Sequence, residues 1–225
     1  MEAINYLKKV PIFSDLSEED LQMMSEIILV RKYRKNMIIF MEGEPGDGLY
    51  FIKQGRVKIY KTTEDGREQI LHFLQNGDVF AEVVLFDGGP FPATAEVLED
   101  STIGIIRNQD IDRFIKNYPD IAVRLLKMMS KKLRQAQMQI RDLALKDTYG
   151  RIVGMLYKLS KEYGEQCEAG TRITIPLSRQ ELANLIGTSR ETVTRLLGDL
   201  KKSKIIELDK QEIVIINEKK LKQWM

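Results

Sequence analysis

The stretch LSRQELANLIGTSRETVTRLLGDLKKSKII, from Leu177 to Ile206, decides how the rest of the chain is read. It holds two short helical patterns separated by a tight turn. Ser178 and Glu181 form an S-x-x-E capping-box pair, and Leu182, Leu185 and Ile186 come next at helical spacing. Gly187 breaks the pattern, and Thr188 with Glu191 predicts a second capping box that opens the next helix. Val193, Leu196, Leu197 and Leu200 give that helix its apolar face. Arg190, Glu191, Thr194 and Arg195 fall on the other face or at its exposed start. Two capped helices around a glycine turn predict a helix-turn-helix whose second helix carries the reading side chains.

The chemistry of those side chains is specific. An arginine fork matches guanine O6 and N7, and a carboxylate accepts a hydrogen bond from the amino group of cytosine. Phosphates would repel Glu191 unless it had such a base partner or a neighbouring arginine. The same residues also admit a plainer reading, an exposed helix face laced with i,i+4 ion pairs. The residues beyond the helix favour nucleic acid. Lys201, Lys202 and Lys204 could lie near phosphates, and IIELDKQEIVII (Ile205 to Ile216) predicts two strands around a polar turn at Asp209 to Gln211, a wing.

With 225 residues and 43% hydrophobic content, the chain can bury one large core or two modest ones. No apolar run is long enough to cross a bilayer, and MEAINYLKK lacks a signal-peptide core, so no membrane partner and a cytoplasmic location are expected. A single cysteine, Cys167, excludes an internal disulfide framework and a cluster held by several cysteines of one chain. Charge is unevenly divided: from Leu145 onward the balance is +4, and over the preceding residues it is −2. The basic excess lies with the helix-turn-helix, as binding to a polyanion requires.

The first 25 residues read as a helical lead-in, with Ser17 capping an acidic start and Leu21, Met23 and Met24 on its apolar side. Between Ile28 and Arg107 the period changes to two. Strands are predicted at 29–33, 37–40, 49–53, 57–61, 69–74, 94–98 and 102–106, separated by turn markers such as Gly43 to Gly48, Asp65-Gly66 and Asn76-Gly77. Many short strands at regular spacing argue for an antiparallel sandwich or roll. From Asp110 the helical pattern returns. Ala122, Leu126, Met129, Leu133, Ala136, Ile140 and Leu143 recur at alternating intervals of four and three, with Lys127, Lys131, Lys132, Arg134, Gln137 and Arg141 between them. Such a narrow seam fits a two-stranded coiled coil, hence a twofold homodimer; packing on the helix's own domain is the alternative, and its first turns suit that. Leu145-Lys146-Asp147 reads as a hinge, with Asp147 capping a helix over 148–161. A Gly- and Glu-rich loop over 163–171 and a short strand over 172–175 lead into the helix-turn-helix.

The fold class is therefore α+β, in three parts: a β-roll over 1–109, a dimerisation helix over 110–144 and a winged helix-turn-helix over 145–225. This order resembles the bacterial CRP/FNR regulator family. The motifs that carry the resemblance are EGEPGDGLYFIKQGRVKIY (Glu42 to Tyr60), NGDVFAEVVLFDGGPFPATAEV (Asn76 to Val97) and SRETVTRLL (Ser189 to Leu197). It implies that the roll is a cyclic-nucleotide-binding-like jelly roll and that the chain is a homodimeric DNA-binding transcription regulator, with RNA polymerase as partner if it activates. By resemblance, Arg190, Glu191 and Arg195 read a half-site like TGTGA of a palindromic duplex, and Ser178, Arg179, Ser189 and Thr192 hold phosphates.

The second motif corresponds to the phosphate-binding cassette of the cyclic-AMP-binding members, where a glycine-glutamate pair opens a short helix. There the glutamate takes the ribose 2′-OH, and an arginine-serine pair downstream takes the cyclic phosphate. Here Glu82 is kept, Ala81 precedes it, and Pro92 and Ala93 stand at the arginine-serine positions. A buried phosphate without its guanidinium is an uncompensated charge costing several kcal/mol. Ala136 and Gln137 stand where those receptors place a threonine-serine pair against adenine. Cyclic AMP is therefore not expected. One cysteine excludes the iron–sulfur cluster of the oxygen sensors, and His72, the lone histidine, reads as a strand residue rather than a haem ligand. No cofactor or metal is expected. The remaining pocket, lined by Phe73, Phe80, Glu82, Val83, Leu85, Pro92, Ala93, Leu133, Ala136 and Gln137, would suit a small, partly apolar effector or none. An effector-binding module without DNA function would leave the capped helices and wing unexplained. An enzyme would need a metal cluster, a nucleophile-base pair or a phosphate loop that the chain lacks.

Overall fold

The computed structural model describes residues 6–14, 16–175, 177–209 and 212–224. They form two compact units that divide between Lys132 and Leu133, inside the long helix.

In the first unit, α1 (Glu18–Ile27) leads into eight strands: β1 (Leu29–Tyr33), β2 (Ile38–Phe40), β3 (Gly48–Gln54), β4 (Val57–Thr62), β5 (Glu68–Leu74), β6 (Val79–Phe80), β7 (Thr94–Val97) and β8 (Ser101–Arg107). The helix α2 (Glu82–Asp87) interrupts them after β6. Two antiparallel sheets result, in the orders β1-β8-β3-β6 and β2-β7-β4-β5. Between them lies a core containing Tyr50, Ile52, Val57, Leu74, Phe80, Ile103 and Ile105. Leu49, Phe51 and Ile106 point out of the first sheet into a second core, shared with Phe13, Leu21, Met24, Ile111, Phe114, Ile121 and Leu125. Buried on both faces, β3 reads GLYFIKQ without a polar alternation. Gly104 is part of the same arrangement, because a Cβ there would sit 2.0 Å from the Phe51 ring. Met23, read as part of the apolar side of α1, is 49% exposed; Leu21 and Met24 carry that side inward, with Ile27 packed against the same core.

The helices α3 (Asn108–Asn117) and α4 (Pro119–Leu145) are separate, broken at Tyr118. Pro119 opens α4, where a missing N–H costs nothing. Ile121 and Leu125 are buried in the second core and Met128 packs against it.

The second unit continues α4 and adds α5 (Thr148–Glu162), β9 (Gly164–Cys167), β10 (Gly170–Ile173), α6 (Arg179–Ile186), α7 (Arg190–Lys202), β11 (Ile206–Asp209), β12 (Glu212–Ile215) and α8 (Glu218–Gln223). The segment read as a loop over 163–171 is instead half of a hairpin: β9 pairs with β10, Cys167 opposite Gly170. Its alternation is invisible in sequence because β9 faces solvent on nearly every residue. The sheet order β11-β12-β10-β9 joins this hairpin to the wing strands. The wing pairs Ile206 with Ile215 through to Asp209 with Glu212; the tip, Lys210 and Gln211, lies outside the described residues.

Candidate nucleic-acid interface and effector cassette

The capping box that opens α6 is formed at both bonds. Ser178 Oγ accepts the Glu181 N–H at 3.1 Å, and the Ser178 N–H donates to Glu181 Oε2 at 2.8 Å. At the other end Gly187 adopts φ 67°, ψ 54°, a left-handed position that any Cβ would strain. The Thr188 N–H then donates back to Ala183 O at 3.1 Å. That bond keeps Thr188 in the turn, so the cap of α7 is Ser189 rather than Thr188. Ser189 is extended, and its Oγ accepts the Thr192 N–H at 3.2 Å. The expected Thr188–Glu191 box is thus replaced by a cap one residue later.

Val193, Leu196, Leu197 and Leu200 anchor α7 inward, and Arg190, Glu191, Thr194 and Arg195 face solvent. Among the described residues no carboxylate oxygen lies within the 4.0 Å ion-pair distance of Arg190 or Arg195, even though Glu191 and Arg195 are i,i+4. The alternative of an ion-paired solvent face is not realised. Glu191 is turned to its own backbone N–H and the Ser189 hydroxyl, which, with the charge of neighbouring Arg190, hold its carboxyl below the ordinary glutamate value. Arg179, at the start of α6, is partly buried, which pulls its guanidinium below its ordinary value while leaving it charged at neutral pH. Thr192 shares a 3.1 Å hydroxyl contact with Ser189. Exposed Lys201 and Lys202 in the last turn of α7, and Lys204 just after it, extend the positive surface.

In the roll, Ala81 takes the left-handed conformation, φ 61° and ψ 18°, directly before α2. Glu82, 6% exposed, accepts from Lys132 of α4: Nζ to Oε1 is 2.8 Å. The same ammonium donates to Val79 O at 3.0 Å. Asp78 lies nearby; burial pushes its carboxyl up, opposed by the Gln75 N–H and the charges of Lys132 and Lys131. The space between the sheets holds aromatic rings. Phe91 stacks on Phe40 with centroids 3.7 Å apart, and Tyr50 lies 5.4 Å from Phe80.

Residues 30–118 match the cyclic nucleotide-binding domain model, and residues 150–224 match the Crp-like helix-turn-helix domain model. An anaerobic regulatory protein of Bacillus subtilis is 34% identical over 218 residues, 96% of this chain and 92% of the relative. A CRP-like cAMP-activated global transcriptional regulator of Mycobacterium tuberculosis is 31% identical over 220 residues, 96% of each. Among solved structures, FixK2 from Bradyrhizobium japonicum superposes with a TM-score of 0.77 at 27% identity, over 88% of this chain and 97% of that one. The chain belongs to the CRP/FNR family of transcription regulators.

Within this CRP/FNR regulator the expected pocket residues separate. Phe80, Glu82 and Ala93 are each buried, but Pro92 is exposed and Val83 is 38% exposed. Leu85 packs on the helical core outside the roll, not within it. Phe73 pairs across from Lys58 and so lies on the face opposite Val57 and Leu74, which point inward. Phe73 is nonetheless buried, at 9% exposure, whereas its neighbour His72 is half-buried. Leu133, Ala136 and Gln137 belong to the second unit, with Leu133 61% exposed.

Of the seam, Leu126, Leu133, Ile140 and Leu143 are 59%, 61%, 67% and 54% exposed, while Ala122, Met129 and Ala136 are half-buried. At the hinge Asp147 caps α5, its Oδ1 accepting the Gly150 N–H at 2.8 Å. The Arg151 guanidinium donates to Lys146 O at 3.3 Å, satisfying one of the last carbonyls of this stretch. Lys132, counted from sequence only as a polar spacer of the seam, is the residue that reading missed. Its signal was present: it falls four residues after Met128, at the end of the series Ile121, Leu125, Met128.

Among the described residues no group of His, Cys, Asp and Glu could hold a metal, and no helix is long and apolar enough to cross a membrane.

Proposed function

We propose that this regulator acts in the cytoplasm as a homodimer on a palindromic duplex, with Arg190, Glu191 and Arg195 reading bases. Ser178, Arg179, Ser189 and Thr192 hold the flanking phosphates, where a serine that accepts at a helix cap still has its own proton to donate. The observation that carries the reading is a pair of exposed arginines without carboxylate partners among the described residues, on a helix whose opposite face is buried. Unpaired guanidinium forks at that position are what bidentate contact to guanine needs. The exposed stripe Leu126, Leu133, Ile140, Leu143 supports pairing of two copies along α4. A twofold pair would set the recognition helices about one DNA turn, ~34 Å, apart. RNA polymerase is the further partner if the protein activates.

The effector is not cyclic AMP. The Mycobacterium tuberculosis relative is named as cAMP-activated, but here an exposed proline and a buried alanine stand where the family's arginine-serine pair would meet the phosphate. No cofactor or catalytic role is assigned to the chain.

Fluorescence anisotropy at fixed salt, with duplexes carrying inverted TGTGA half-sites or a scramble of them, tests the DNA reading. We expect the matched duplex to bind at least about 100-fold more tightly, since each lost base contact is worth about 1–3 kcal/mol. Equal binding would remove the specificity claim. Calorimetry with millimolar cyclic AMP should give no binding heat; a micromolar isotherm would overturn the effector reading alone.

A further inference from the structure

The long helix carries two stripes. Ile121, Leu125 and Met128 bind it to its own roll, and Lys132 continues their spacing of four, three and four. The exposed leucine and isoleucine seam lies one residue round the helix. Lys132 is the last residue of α4 that belongs to the first unit. An apolar side chain would have prolonged the packed stripe. A lysine side chain only 30% exposed instead requires anionic company, and it finds the Glu82 carboxylate, 8% exposed, and the Val79 carbonyl. These two acceptors belong to the first residue of β6 and the first residue of α2, on the two sides of the left-handed Ala81.

We propose that Lys132 is a positioning residue, an internal counter-ion that occupies Glu82 and fixes the point on α4 where attachment to the roll ends and the free seam begins. In the cassette Glu82 is the carboxylate that an effector hydroxyl would engage, a role that rests on the family resemblance. With Lys132 seated, the link between cassette and helix is made from within the chain. The helix is held without a small molecule, and a ligand that takes Glu82 must first displace the ammonium. Two elements tied to a single helical residue move together, so any shift of β6 or α2 is transmitted to α4 beside Leu133.

Hydrogen–deuterium exchange of the α4 backbone amides over residues 126–136, with neither DNA nor nucleotide present, tests this in the full-length protein. Lys132→Met should speed exchange there by about tenfold, the scale of a lost charge-assisted hydrogen bond. Lys132→Arg should restore it, and the charge exchange Lys132→Glu with Glu82→Lys, which rebuilds the ion pair but leaves the Val79 carbonyl without its donor, should restore it in part. The double variant Lys132→Met with Glu82→Gln should exchange no faster than the worse of its two singles. Wild-type exchange in Lys132→Met, failure of arginine to rescue, or additive singles would each overturn the proposal. If Lys132→Met does not fold, Glu82→Gln, which keeps the side-chain shape, and the charge exchange decide the matter alone. Because no duplex enters the measurement, a failed latch and a failed DNA reading give separate results.

Discussion

The roll and the reading head treat their charged groups in opposite ways. On α7, Arg190 and Arg195 stand exposed without carboxylate partners among the described residues, and Glu191 is held only by its own helix start. In the roll, Glu82 is matched by Lys132, and buried Lys58 is matched by Glu68 at 2.9 Å and Glu96 at 3.3 Å. A buried charge has to be satisfied by the chain itself, whereas an exposed one can wait for a partner. The head is thus incomplete alone, and the roll is complete alone. That difference separates a helix whose charges face outward from a sheet domain whose buried charges are matched within the chain.

The largest effect should come from emptying that interior. Phe91→Ala removes a ring that is 3% exposed and stacked on Phe40, and should cost about 3–5 kcal/mol in chemical denaturation monitored by circular dichroism. The ratio of matched to scrambled DNA binding should stay unchanged, since no base reader is touched. A loss below about 1 kcal/mol would mean that the site collapses easily or is not tightly filled, and would erase the contrast.

Next comes the head. Arg195→Ala should cost about 1–3 kcal/mol on the matched duplex and relax discrimination at one base position, with little change in stability. A uniform loss across matched and scrambled duplexes would reassign Arg195 to phosphate contact and weaken the view of α7 as the base reader.

How much of the molecule is legible in its sequence obeys the same division. Capping boxes, the glycine turn and the strand alternation are local patterns, so seven of the eight strands of the roll, all but the two-residue β6, and both helices of the head can be placed from neighbours in sequence. What escapes is set by distant groups. Thr188 loses the cap because Ala183 O holds it in the turn. The faces of β5 are set by partners on β4, where a register shift between Ile59 and Tyr60 leaves Phe73 opposite Lys58. Lys132 passes for a seam spacer because its partner Glu82 is 50 residues away. The hairpin of β9 and β10 is missed for another reason: solvent-exposed strands carry no alternation to read.

Within the head, the caps contribute less than the readers. Ser178→Ala removes the acceptor of the Glu181 N–H and should lower stability by about 1 kcal/mol. Ser178→Thr should recover most of it. If thermal melts show no loss, the short α6 is held by Leu182, Ala183 and Ile186 alone, and its boundaries owe nothing to the capping box.

The smallest change is at Gly198, in the middle of α7. A mid-helix glycine is destabilising by about 0.5–1 kcal/mol relative to alanine. Yet a Cβ at Gly198 would meet nothing within 4 Å, so no packing inside the protein demands the glycine. Gly198 comes seven, four and three residues after Glu191, Thr194 and Arg195 and shares their exposed face. A glycine that no packing among the described residues requires, on the face proposed to read DNA, fits a place where a duplex would come close to the helix backbone. Gly198→Ala should therefore raise the melting temperature of the free protein while weakening its binding to the matched duplex. Stabilisation without any loss of affinity would show that the duplex stays clear of this turn. The readers would then be confined to the first two turns of α7.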